Sequence, residues 1–234
     1  MRPDRYRELN EVSVMKAQDS QQGFAGAQPP DTSDGQAQPL PPAAGSDIAD
    51  ALLGFASCFG ARDRSEVYLS APITTGRAFV AWQRLVGSQL SPDHPHYESL
   101  HHKNVVELNL RQVPPLLAKI RSRFPGRLVI DPTSLDDVPG WEQEDYHRFW
   151  CSLIERYISV VVFADGWHFS TGCIYEFATA LRSADQILDE TFAPLSRAEG
   201  TRLIRQAIAE IEQLSLDSTL LRRGLDEIES SSGS

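Results

Sequence analysis

Glu176 is the side chain best placed to do chemistry, because of the run that leads to it: Ser170-Thr171-Gly172-Cys173-Ile174-Tyr175-Glu176. Ser170 fits the N-cap of a helix, and Gly172 lets a ligand approach the first backbone amides. A helix start presents unpaired N–H groups and partial positive charge, so it attracts an anion. Glu176 follows Gly172 by one helical turn on the same side, while Ile174, Phe177, Ala178 and Leu181 take the apolar face. The carboxylate is thereby set apart from the core stripe and close to the mouth of such a site. A carboxylate there is suited to attack a sugar carbon, since its charge matches that of an oxocarbenium-like transition state. The same spacing also describes a capped helix with an exposed carboxylate, and on spacing alone that is the commoner outcome.

The element that delivers this turn is Ile158 to Phe163, the strongest strand signal in the chain. Val67 to Ser70 and Leu128 to Ile130 are two further buried strands, the latter stopped by Asp131-Pro132. Helices are expected from Ser46-Asp47 through Phe55, around Phe79 to Val86, over Val105 to Phe124, over Glu142 to Tyr157 and over Thr171 to Leu181. Two more are expected over Thr201 to Leu214 and Ser218 to Ile228. Pro114-Pro115 should kink or break the Val105 to Phe124 helix that contains them, and Ser91 to His102 reads as a loop. Continuous apolar strands alternating with amphipathic helices imply an α/β fold, a Rossmann-like (flavodoxin-like) three-layer sandwich with a parallel sheet. Ligands of such sheets lie beyond the carboxyl ends of the strands. That rule selects the turns Ser70 to Arg77, Asp131 to Asp137 and Ala164 to Gly172.

The chain of 234 residues suits one domain over 47–229 with a disordered tail over 1–46, rich in Gln, Pro, Ala, Asp and Gly, and a flexible tail over 230–234. A net charge of −10 argues against a nucleic acid polymer as partner, though not against one nucleotide. No apolar run suggests a membrane span and no signal peptide is read, so a cytoplasmic place is expected. The three cysteines Cys58, Cys151 and Cys173 match no metal or redox spacing and are expected as free thiols. His94, His96, His101 and His102 share one proline-containing loop, where solvated histidines are expected rather than a metal site.

Other residues at the selected turns carry two readings each. Asp131 suits a ribose hydroxyl or a plain strand-ending turn. Arg77 suits a phosphate or the bare surface of the next helix. Trp167 suits a base-stacking platform, although Trp141, Trp150 and Trp167 are more often anchors of a core or loop. His147 and His168 flank the site as candidate proton donors, with His168 more naturally a turn residue. The C-terminal helix bearing Leu203, Ile204, Ile208, Ile211 and Leu214 suits either a subunit contact or packing within its own domain.

The segment Ser170 to Glu176 closely resembles the active-site segment of the nucleoside 2-deoxyribosyltransferase-like superfamily. It is most similar to the branch of deoxynucleoside-monophosphate N-glycosidases and their bacterial relatives. The run Tyr68-Leu69-Ser70-Ala71-Pro72-Ile73-Thr74-Thr75-Gly76-Arg77 resembles the family's opening strand with its phosphate- and sugar-side loop, and Asp165-Gly166-Trp167 is similar to the bacterial relatives. The resemblance spans roughly Val67 to Leu181 as an order of elements. It implies a glutamate, Glu176, attacking C1′, with Ser170 helping to hold a 5′-phosphate. It also implies a ligand site drawn from Ser70, Pro72, Ile73, Thr74, Gly76, Arg77, Asp165, Trp167, Ser170 and Gly172, to which Asp131 is added only by its place at the end of the second strand. The substrate would be a nucleoside or nucleoside monophosphate, with no metal and no cofactor, in a homo-oligomer. The family also carries an aspartate in the element before the last strand; Asp145 is the nearest, whereas Trp150 or Cys151 falls at the usual place. The first loop carries fewer glycines than the N-glycosidases do. Two functions therefore stand side by side, N-glycosidic hydrolysis or deoxyribosyl transfer by Glu176, and a non-catalytic nucleotide-binding module of the same fold.

Overall fold

The structure, a computed structural model, describes residues 44–61, 64–86, 90–134, 138 and 140–231. The tail expected over 1–46 lies outside these residues except at its end, where helix α1 (Ala44–Phe59) already runs. Then follow β1 (Glu66–Ser70), α2 (Gly76–Val86), α3 (Tyr97–His101), a π-helical turn (His102–Val106), α4 (Glu107–Arg123) and β2 (Val129–Ile130). The chain continues through α5 (Gln143–Tyr157), β3 (Ile158–Phe163), α6 (Thr171–Ser183), β4 (Gln186–Leu188), α7 (Arg197–Gln213) and α8 (Thr219–Ser230).

The four strands form one parallel sheet in the order β2-β1-β3-β4. From β1 the chain moves outward to β2, then crosses back past β1 to β3 and on to β4. The direction of winding therefore reverses between β1 and β3, the switch point at which open α/β sheets leave a crevice beyond their carboxyl ends. Alternation along the central strands sends side chains to two separate cores. Tyr68, Val161 and Phe163 face the core shared with α1, α5 and α6. Val67, Leu69, Val160 and Val162 face the one built on α4 by Val113, Leu116, Leu117 and Ile120. This is the expected three-layer α/β sandwich. Among the described residues, no helix is long and apolar enough to cross a membrane.

The differences from expectation have physical causes. Strand β4 was not foreseen; it has only three residues, two of them at least partly exposed, so it shows no apolar run. Pro114 and Pro115 do not break α4. Both rings face solvent, so the carbonyls they leave without an N–H partner lie on the watered side of the helix. The stretch expected as a loop up to His102 becomes helical from Tyr97, and His101 within it is buried rather than solvated.

Helices α7 and α8 pack on α6 rather than standing free: Ile204, Ile208, Ile211, Leu225 and Ile228 join the same core as Ile174 and Phe177. Two glycines allow this closeness. A Cβ on Gly200 would lie 2.2 Å from the Phe177 ring, and one on Gly224 would lie 2.6 Å from Ile174. Both neighbours are fully buried, so neither has room to yield. Gly200→Ala is therefore expected to lower stability by about 1–3 kcal/mol despite alanine's better helix propensity. Thermal unfolding of the two proteins side by side measures it; an equal or higher melting temperature would show that α7 is not held this tightly.

Candidate active site

Tyr68 and Ser70 are two residues apart on β1, so both point to the α6 side of the sheet. Both are wholly buried. Glu176 comes down from the second turn of α6 to meet them. The Tyr68 hydroxyl donates to Glu176 Oε1 at 2.7 Å, and the Ser70 hydroxyl donates to Oε2 at 2.6 Å. Each carboxylate oxygen thus has its own donor at the charge-assisted length. The residue stays partly accessible, yet its carboxylate is enclosed beside the β1–β3 switch point. The expectation had set Glu176 apart from the core at the mouth; its carboxylate instead reaches back toward the sheet and is gripped there.

Burial pushes the Glu176 carboxyl up to about 7, with the Ser70 and Tyr68 hydroxyls opposing that shift. Desolvation penalises the charged form, while hydrogen bonds to the carboxylate favour it. The Tyr68 phenol is driven well above its usual range, first by burial and then by the neighbouring carboxylate, so it remains a donor. Cys173 is buried beside them, and burial together with Glu176 pushes its thiol up to about 12. Cys151, on α5, is likewise held up to about 12, mainly by burial. Neither thiol is a thiolate at neutral pH, and among the described residues none of the three cysteines is in a disulfide.

The strand ends and turns around the carboxylate are locked together. The Ala164 amide donates to the Ser70 carbonyl at 2.9 Å. Gly166, with φ of +78°, packs so closely that a Cβ would lie 2.8 Å from the Arg77 amide nitrogen. Gly76, with φ of +83°, closes against Pro72 in the same way. Both conformations are open to glycine and strained for any other residue. On the far side of the same loop, the carbonyls of Ile73 and Thr75 accept from Asn109 and that of Thr74 from His101.

At the start of α6, Ser170 occupies the N-cap position but its side chain makes no capping bond. The α6 amides before Ile174 have no partner one turn back, as at any helix start. Gly172 lies half-buried beside them, and His147 of α5 approaches it, its Nε2 3.4 Å from where a Cβ would stand. Burial lowers the His147 imidazole from its ordinary value. His168 is buried too, and burial with the nearby Arg77 charge lowers it to about 4. Both rings are thus neutral near pH 7. His168 Nδ1 is buried without a hydrogen-bond partner.

Several expected ligand groups have other occupations. Arg77 and Asp165 face each other, with Arg77 Nε 3.1 Å from Asp165 Oδ2 and Nη2 3.1 Å from Oδ1, as an exposed ion pair joining the start of α2 to the turn after β3. Trp167 is no stacking platform: it is 2% exposed and packs against Phe163 and Phe177. Asp131 turns its carboxylate onto its own loop, accepting from the Thr133 amide at 3.0 Å and hydroxyl at 2.7 Å. Asp145 serves the start of α5, bonding the Glu142 amide at 2.9 Å and pairing with Arg148 at 2.8 Å. That is the work of a capping box, which answers an orphan amide of the first turn. Pro72, Ile73, Thr74 and Gly76 form the loop above β1 as expected. Tyr68, His101 and Asn109 were missed. Tyr68 read as one more apolar strand residue, and only its position two before Ser70 could have placed it on the same face. Among the described residues, no three His, Cys, Asp or Glu side chains are grouped as metal ligands.

The raised Glu176 carboxyl has a consequence for stability. In the unfolded chain it ionises near 4.5, in the folded chain near 7. Between those values unfolding releases a proton, so the stability this group contributes is complete below the lower value and is lost as pH rises through the upper one. Glu176→Gln removes the titration and keeps a polar group between two hydroxyls that can turn to donate or accept. From pH 5 to pH 8 the variant should gain about 2 kcal/mol over the parent chain, a figure reduced for the group's partial access to solvent. Denaturant titrations of both proteins at the two pH values measure this, and a difference independent of pH would refute the shift. No family model, curated protein or solved structure matches the chain.

Proposed function

We propose that the protein cleaves the N-glycosidic bond of a nucleoside or nucleoside monophosphate, with Glu176 as the nucleophile at C1′. The observation that carries this reading is the enclosed carboxylate held by Tyr68 and Ser70 at the point where the sheet's winding reverses. A nucleophilic carboxylate needs a fixed direction and raised basicity, and the two hydroxyls with partial burial supply both. Attack at C1′ forms the glycosyl ester as the bond to the base nitrogen breaks. The departing base takes a proton, and water, or a second base, then releases the sugar from Glu176. The start of α6 beside Ser170 and Gly172, where the first amides have no partner one turn back, favours a 5′-phosphate on the substrate. The resemblance of the Ser170 to Glu176 segment to the nucleoside 2-deoxyribosyltransferase-like superfamily supports the same substrate class, and with it assembly as a homo-oligomer.

One observation favours a second reading, a nucleotide-binding module without turnover. Asp145 is occupied at the start of α5, so the aspartate expected to assist at the base or sugar is spent on helix capping.

Incubating the protein with a panel of nucleosides and nucleoside monophosphates, and separating free base by chromatography, decides between them. Hydrolysis or transfer requires base release that Glu176→Ala abolishes while the far-ultraviolet spectrum is unchanged. Ligand binding without release would leave the binding module. The rate should also climb with pH to a plateau, with a midpoint near 7, because only the ionised carboxylate attacks. Tyr68→Phe deletes a donor that favours the ionised form, so its midpoint should move to higher pH and kcat/KM should fall about tenfold. An unmoved midpoint would mean that Tyr68 does not tune the nucleophile.

A further inference from the structure

We propose that His101 and Asn109 are positioning residues for the loop between β1 and α2, and that the π-helical turn between them is what brings both onto that loop. Three successive loop carbonyls are held from one side. Asn109 Nδ2 donates to the Ile73 oxygen at 2.9 Å and to the Thr75 oxygen at 2.7 Å. His101 Nε2 meets the Thr74 oxygen at 2.8 Å. A carbonyl only accepts, so Nε2 carries the proton. Both side chains are buried, Asn109 at 6% exposure and His101 at 4%. Because C=O and N–H are antiparallel across a planar peptide, holding these carbonyls turns the Thr74, Thr75 and Gly76 amides away from the helices that hold them.

Helix geometry explains why the π turn matters. In a regular α-helix, residues 101 and 109 would be rotated about 80° apart, and one loop could not engage both. The stretch from Tyr97 to Arg123 stays in helical conformation but passes through the π turn His102–Val106. A π turn accommodates one residue more than an α turn, so the interval behaves as about seven residues, within about 20° of two full turns. His101 and Asn109 therefore share a face. The His101 ring is fixed in turn by its neighbours: it stacks on Tyr97 with an interplanar angle of 5° and contacts Phe79 and Trp82 of α2. The loop so held runs directly from Ser70, which grips Glu176, to Arg77, against which Gly166 packs. It follows the carboxyl end of β1, beside the switch point where the proposed substrate would lie, and this role deepens the glycosidic reading and rests on it for its kinetic arm.

His101→Phe keeps an aromatic ring among Tyr97, Phe79 and Trp82 but deletes the donor, and Asn109→Leu keeps nearly the same volume but deletes two bonds. Amide hydrogen exchange over residues 71–77, measured on the full chain, should speed up about tenfold or more in each variant while α4 and β1 keep their protection. With the substrate found to release base, KM should rise about tenfold with kcat and the pH midpoint unchanged, the signature of lost binding rather than lost chemistry. Unchanged exchange in the loop, exchange that quickens equally through α4 and β1, or a loosened loop with an unchanged KM would each overturn the positioning role. If the parent chain releases no base from any substrate, the glycosidic reading fails, and the exchange measurement alone decides whether His101 and Asn109 hold the loop.

Discussion

Everything at this end of the sheet depends on a carboxylate that is largely withdrawn from water and answered by one donor at each oxygen. Glu176 would be costly in this position without partners, since an enclosed ion loses its hydration. The Tyr68 and Ser70 hydroxyls replace part of that hydration with fixed dipoles, one to each oxygen. The compromise leaves the group at a proton affinity between that of an ordinary carboxylate and that of a buried acid. Such an arrangement costs stability in the ionised form.

The fold supplies this arrangement economically. One strand, β1, contributes both donors through simple alternation, and one helix, α6, contributes the acceptor from its second turn. The reversal of winding between β1 and β3 is what keeps this region free of a covering crossover. Around it the two loops are drawn together by the Ala164 amide, the closely packed Gly166 and the Arg77–Asp165 pair. The exposed ion pair adds little energy by itself. The Ala164–Ser70 backbone bond and the close approach of Gly166 to Arg77 set the distance between the two segments.

Much of this was legible in the residues. The apolar run Ile158 to Phe163 announced its strand to the residue, and Glu176 stood out because its helix begins just beyond that strand. What could not be read were pairings between distant segments. Nothing in the sequence near Asp145 separates a catalytic carboxylate from a capping one; only the bonds to Glu142 and Arg148 do. Trp167 looked available because it borders polar residues, yet the ring turns inward between Phe163 and Phe177. His101 looked solvated because proline-rich surroundings suggest a loop, and the helix that buries it begins only at Tyr97. Strand β4 escaped for the opposite reason: its place at the rim leaves it too short and too exposed to carry a pattern.

That shortness has a consequence of its own. The sheet ends on one side in the two residues of β2 and on the other in the three of β4, where Leu188 is further engaged by an antiparallel bridge to Pro194. Among the described residues, neither margin offers a long row of free peptide groups on which another chain could extend the ladder. Self-association through backbone pairing is thereby discouraged at both rims.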